Sequence, residues 1–139
     1  MANGIMAAAL LAMGKADLDL DTIDLRFIGV SSAYTFSAAH DFLDDVTNII
    51  TDAVAATGEA VSAVTGGFML DCNDFTLTNV NGAVAAIYGY DHNGGANSAR
   101  RLISWCNSAS GLPTGTLSAG SVPVTVNASG VLAVTSSPS

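Results

Sequence analysis

A chain of 139 residues, half of them apolar and 12% charged, is long enough for one domain that buries roughly two-thirds of its unfolded surface, so its core needs neither disulfide nor metal. The composition excludes a disordered tail. A net charge of −8, with Lys15, Arg26, Arg100 and Arg101 as the only cations, excludes direct nucleic-acid binding, which depends on basic side chains displacing counterions from phosphates.

Low charge with much Ala, Val, Thr, Ser and Gly fits a β-rich protein that hides surface in an assembly, and equally a soluble Ala-rich protein of bland chemistry. Eight of the twelve acids lie between Asp17 and Asp52, which concentrates negative charge in the N-terminal half and favours a basic partner surface or, more commonly, simple solubility.

The apolar run Met6 to Met13 within MANGIMAAALLAMG reads as a short helix ended by Gly14. No basic residue precedes it, as one would in an export signal, and it falls far short of the roughly 20 residues of a membrane span. Next, DLDLDTIDLRFIGV alternates apolar and polar residues as a half-buried strand does. Leu18 and Leu20 share one parity, while Ile23, Leu25 and Phe27 share the other. A turn or bulge is therefore expected at Asp21-Thr22 and a strand from Ile23 to Val30. Asp17, Asp19 and Asp21 then form a solvated strand face. As a calcium loop the stretch fails, with Thr22 where glycine is needed and Ile28 where a bidentate glutamate is needed.

After the loop SSAYTFSAAH the period changes. Phe42, Val46, Ile49 and Ile50 fall on one face of a helix. Asp41 is placed as its N-cap, with Asp44 and Asp45 in a first turn that favours negative charge. His40 and Asp44 could meet at i, i+4 as metal ligands, but a third ligand is missing nearby and His92 stands in a distant Gly-rich loop. A capped helix start is the better reading. Residues 52–66 suit either helix or strand.

Beyond Gly66-Gly67 the pattern is β. FMLDCNDFTLTNV reads as strand, turn and strand, with Asp71 and Asp74 bonding their own backbone in the turn. GAVAAIYGY and ARRLISWCN are strands separated by the polar loop DHNGGANS. SVPVTV and VLAVT are expected to form a hairpin about NASG, with Val122, Val124 and Val126 on one face. The tail, 136–139, is expected to be disordered. Cys72 and Cys106 form no CxxC pair and read as two buried free thiols. The chain has no G-x-S-x-G, no P-loop and no G-x-G-x-x-G, so an enzyme is the least supported class.

Taken in order, these segments resemble a family of small structural proteins of tailed bacteriophages and prophages. The likeness runs from a short apolar helix ending in Gly, through DLDLDTIDLRFIGVSSAY, HDFLDDVTN and DCNDFTLTNVNGAVAAIYGYD, to LISWCNSASGLPTGTLSAGSVPVTVNASGVLAVT. It covers about residues 5–135. It departs around 52–66, where an Ala-rich DAVAATGEAVSAV replaces a Gly-x-Gly-Tyr strand entry. The resemblance implies a virion component without catalytic residues, metal or other cofactor, and makes HDFLDDVTN a fold signature.

The expected fold is mainly β, a β-sandwich or barrel-like single domain over residues 1–135 with one or two short helices. The expected role is a capsid decoration or cement protein, assembled in the bacterial host cytoplasm, that binds the major capsid protein on the outer shell and associates with itself, most readily as a homotrimer. Neither nucleic acid nor membrane is an expected partner. The rivals are a neck or tail component and a host-surface binding module that uses DHNGGANS for recognition. Candidate partner-binding residues are Arg100 and Arg101, the only adjacent basic pair, with His92 and Asn93 in the loop before them.

Overall fold

The computed structural model describes residues 4–107, 112, 114–126 and 130–135. In chain order its elements are β1 (Gly4–Ile5), helix α1 (Ala7–Gly14), β2 (Leu25–Val30), β3 (Val54–Ala55), β4 (Ala60–Val64) and β5 (Gly67–Asp71). There follow β6 (Phe75–Gly82), β7 (Ala86–Asp91), β8 (Leu102–Cys106), β9 (Leu117–Val124) and β10 (Leu132–Thr135). Short 3-10 turns stand at Leu43–Asp45 and Asn97–Ala99. With 44% strand against 11% helix the domain is mainly β and sandwich-like, as its alternating segments predict.

The strands form a five-stranded sheet in the order β1-β8-β7-β2-β3, a three-stranded sheet β10-β5-β4 and a two-stranded ribbon β6-β9, all antiparallel. β2 sits inside the first sheet, and five of its six residues are buried. That is why its sequence LRFIGV is apolar almost throughout rather than strictly alternating. Phe27 of β2 stacks on Phe75 of β6, with ring centroids 4.1 Å apart, and joins the five-stranded sheet to the ribbon. Leu25, Leu70, Leu77, Val80, Leu102 and Ile103 complete the sealed interior.

FMLDCNDFTLTNV contains two strands as expected, but Cys72–Asp74 between them forms no turn and the two strands do not pair with each other. β5 pairs with β10 and β6 with β9. The expected hairpin between SVPVTV and VLAVT is therefore overturned. The antiparallel pairs β5–β10 and β6–β9 belong to different sheets. Between them Asp74 Oδ1 accepts the Val126 N–H at 2.8 Å, and the Leu70 carbonyl accepts that of Val131 at 2.7 Å. Asp71 Oδ1 accepts the neighbouring Cys72 N–H at 2.9 Å, so Asp71 alone of the pair bonds its local backbone. Of NASG, residues 127–129 lie outside the described residues, as does the tail at 136–139. Val122, Val124 and Val126 share the half-buried face of their segment, and Ser121, Pro123 and Thr125 are exposed.

Four further expectations are corrected. The helix from Asp41 is only the 3-10 turn Leu43–Asp45, because the chain after Val46 must reach β2. There the Ser31 N–H donates to the Asn48 carbonyl at 3.1 Å and the Ile50 N–H to the Gly29 carbonyl at 3.0 Å. Tertiary pairing outweighs the helical period, and Ile49 is left exposed. DLDLD is not a strand either. Asp19 folds it into a turn, its Oδ1 accepting the Asp21 N–H at 3.0 Å and its carbonyl that of Thr22 at 3.1 Å. The three aspartates are exposed as expected, while Leu18 and Leu20 turn inward. The strand begins at Leu25 rather than Ile23, since the Asp24 N–H bonds the Asp91 side chain. Helix α1 lies one residue later than Met6–Met13, and 52–66 resolves as β3 and β4.

Candidate functional site

β7 ends at Asp91, and the chain leaves the sheet through DHNGGANSA before Arg101 and Leu102 bring it back. Turning within so few residues requires left-handed backbone, which Asn93 (φ 38°) and Gly94 (φ 73°) supply. The Asn93 side chain then clamps the loop from inside. Its Nδ2 donates to the Ala99 carbonyl at 2.8 Å, and its Oδ1 accepts the Gly95 N–H at 3.0 Å.

Arg100 closes the loop a second time. Its Nε donates to the His92 carbonyl and its Nη1 to Asn97 Oδ1, both at 3.1 Å. Nη2 lies 3.4 Å from His92 Nε2. A guanidinium only donates, so Nε2 accepts and the ring proton sits on Nδ1, which is buried without a partner among the described residues. Arg101 does something different. Its guanidinium carbon stands 4.8 Å from the centre of the Phe42 ring, a cation–π contact.

The loop therefore packs beside the HDFLDD stretch. The Leu43 N–H donates to the Arg100 carbonyl at 2.8 Å and the Leu102 N–H to the Asp41 carbonyl at 2.9 Å. Arg26 of β2 also belongs here, since Tyr90 lies opposite it in β7. Burial raises the Tyr90 hydroxyl, and Arg100 and Arg26 oppose that rise. Three of the four cations thus meet at one end of the five-stranded sheet. Arg26 is paired with Asp24 at 3.2 Å, and that bond raises its pKa.

The structure brings all four of these residues to this end, but only Asn93 is exposed, the other three being half-buried, and the Asn93 amide is engaged within the loop. Besides Asn93 the loop exposes Gly94 and Ala96–Ala99, an uncharged tip made largely of the DHNGGANS stretch expected to serve recognition. Such a tip can recognise a partner through hydrogen bonds and shape.

In HDFLDD, His40 and Asp45 are likewise engaged by the protein's own groups. Tyr34 Oη lies 2.6 Å from His40 Nδ1. The Tyr34 and Tyr88 rings meet edge to face with centroids 5.4 Å apart, and burial pushes both hydroxyls upward in pKa. Asp45 Oδ2 accepts the N–H groups of Asp41 at 3.0 Å and Phe42 at 3.4 Å, and these bonds hold its carboxyl below the usual range. The four-residue spacing from Asp41 to Asp45 was the available signal for this turn, whereas Tyr34 gave none. Among the described residues no group of three His, Cys, Asp or Glu side chains is placed to hold a metal ion.

Cys72 and Cys106 are both free thiols. Burial, with Asp71 adding to it, pushes Cys72 up to about 11. Cys106 ends β8 half-buried opposite Ile87. No helix among the described residues is long and apolar enough to cross a membrane. No family model, curated protein or solved structure matches the chain.

Proposed function

We propose that this chain is a structural protein of a tailed-phage virion, of the decoration type, that binds the outer face of a shell built from the major capsid protein. The observation that carries the reading is that the side chains richest in chemistry hold the protein's own loops together. His40 is bonded to Tyr34, Asp45 to the backbone of Asp41 and Phe42, and Arg100 to His92 and Asn97. The order of motifs along the chain, which resembles that of small phage head proteins, supports it as well.

The exposed features suit binding without chemistry. β4, with the uncharged sequence AVSAV, is an edge strand, and such an edge can accept another strand through its backbone. The acidic surface suits an outer face, away from packaged DNA. Many modest contacts repeated by symmetry then reinforce the shell. A host-surface binding module is the second reading, favoured by the doubly clamped loop with its exposed Ala96–Ser98 tip.

Copy number in purified particles separates the readings. By gel densitometry a decoration protein approaches the count of the major capsid protein. A few copies per particle would move the chain to the neck, tail or a host-binding position. Absence from intact particles would end the virion reading.

A further inference from the structure

Helix α1 carries an apolar face that the fold leaves uncovered. Ala9 and Ala12 on its inner side are buried, and Met6, which precedes it, is buried with them. On the outer side, at i, i+3, i+4 and i+7, stand Ala7, Leu10, Leu11 and Gly14, all exposed, with Leu10 at 46% and Leu11 at 62%. A surface helix ordinarily turns charged or polar residues outward, and a helix that is apolar all round is a buried one. From Ala7 to Gly14 this helix has no polar side chain.

Directly after the helix the chain lays Leu18 and Leu20 along the floor of a groove of about 440 Å³, which Met13, Val61 and Phe68 also line. Asp19 and Asp21 form its acidic rim. Lys15, exposed, stands between the helix stripe and this groove. Arg26 is paired with Asp24, Arg100 closes its loop and Arg101 lies over Phe42. Lys15 is the remaining cation, and among the described residues it has no ion-pair partner.

We propose that this face docks a second copy of the same chain, the α1 stripe of each copy seated in the groove of the other. The stripe and the groove adjoin at Met13, so one twofold axis passing close to it superimposes each on the other, as a closed isologous pair requires. The charges agree with that occupant. Lys15 of each copy comes to the Asp19 and Asp21 rim of the other, whereas a strongly basic partner would meet Lys15 and an acidic one would meet the rim. This pairing does not depend on the virion role and holds for the chain in solution.

Sedimentation equilibrium of the full chain, from about 1 to about 100 μM, tests it. The expected result is a mass rising with concentration from 14.0 kDa to twice that value. Leu10→Ser with Leu11→Ser should leave a monomer with an unchanged far-UV circular dichroism spectrum, because both side chains already face solvent. Lys15→Glu and Asp21→Lys should each weaken the pair at least roughly 25-fold, because the twofold carries two rim ion pairs and each is worth roughly fivefold. Mixed together, the two charge variants should form a heterodimer tighter than either homodimer. A monomer at all concentrations would overturn the proposal and leave the face to another molecule. A dimer that survives the double serine variant, or a mixture no tighter than its components, would place the contact elsewhere and overturn it equally.

Discussion

Asp45, not Asp41, closes the turn at the centre of HDFLDD, its Oδ2 accepting the Asp41 backbone N–H at 3.0 Å. The side chain expected to cap is in fact the residue whose backbone is capped. Asp45→Ala should therefore lower Tm by about 2–4 °C, while Asp41→Ala changes it by less than about 1 °C. The effect has a pH signature. The Asp45 carboxyl is held below its ordinary value of 3.8 by the Asp41 and Phe42 N–H groups. Its contribution is thus present above that pH and lost as pH falls through the lower folded-state value. Thermal melts of wild type and Asp45→Asn should differ near neutrality and converge in strong acid. A constant difference across that range would refute the assignment.

The Tyr34 hydroxyl lies 2.6 Å from His40 Nδ1, and its ring meets that of Tyr88 edge to face at 5.4 Å. Tyr34→Phe leaves the imidazole nitrogen without its partner, and a loss of about 1–3 kcal/mol is expected. Tyr88→Phe keeps both the ring contact and the Tyr34–His40 bond and should cost less. Urea denaturation of the two variants checks the order, and a Tyr88→Phe loss equal to that of Tyr34→Phe would refute it.

Gly29 lies where β2 approaches the ribbon. A methyl group there would stand 2.8 Å from Thr51 Cγ2 and 3.1 Å from Val84 Cγ1. The Thr51 hydroxyl is itself held by the Gly29 N–H at 2.9 Å, so it cannot rotate away without losing that bond. Gly29→Ala should destabilise by about 1–3 kcal/mol through overpacking. Pairing it with Thr51→Ser, which removes the nearest methyl, should recover part of the loss in the same denaturation experiment.

Arg100→Ala removes the contacts to His92 and Asn97 at once, yet it touches none of the sealed interior. Amide hydrogen exchange should rise at least about tenfold over residues 95–99 while β2 and β7 keep their protection. Arg101→Ala, which gives up only its place on Phe42, should leave that loop protected. If both variants loosen the loop equally, the closing role assigned to Arg100 is wrong.

Local pattern was enough for several elements. The apolar run before Gly14 marks α1, the alternation around Val122 marks the half-buried face of β9, and GAVAAIYGY and ARRLISWCN contain β7 and β8. Each depends on neighbours a few residues away, which side-chain periodicity records directly. Partner choice does not. Whether β9 pairs with β10 or with β6, and whether DCND is a hairpin turn or a link between sheets, depends on contacts between Phe75 and Val124 or Leu70 and Leu132. Those residues are dozens of positions apart, and alternation looks the same in either arrangement. At Asp41 the helical period was present but lost to the backbone bonds that the Asn48–Ile50 segment makes with β2. In the loop, composition identified His92, Asn93, Arg100 and Arg101 as polar and exposable. Only the folded chain turned His92 and Arg100 toward each other, because a guanidinium finds its acceptors in space rather than along the sequence.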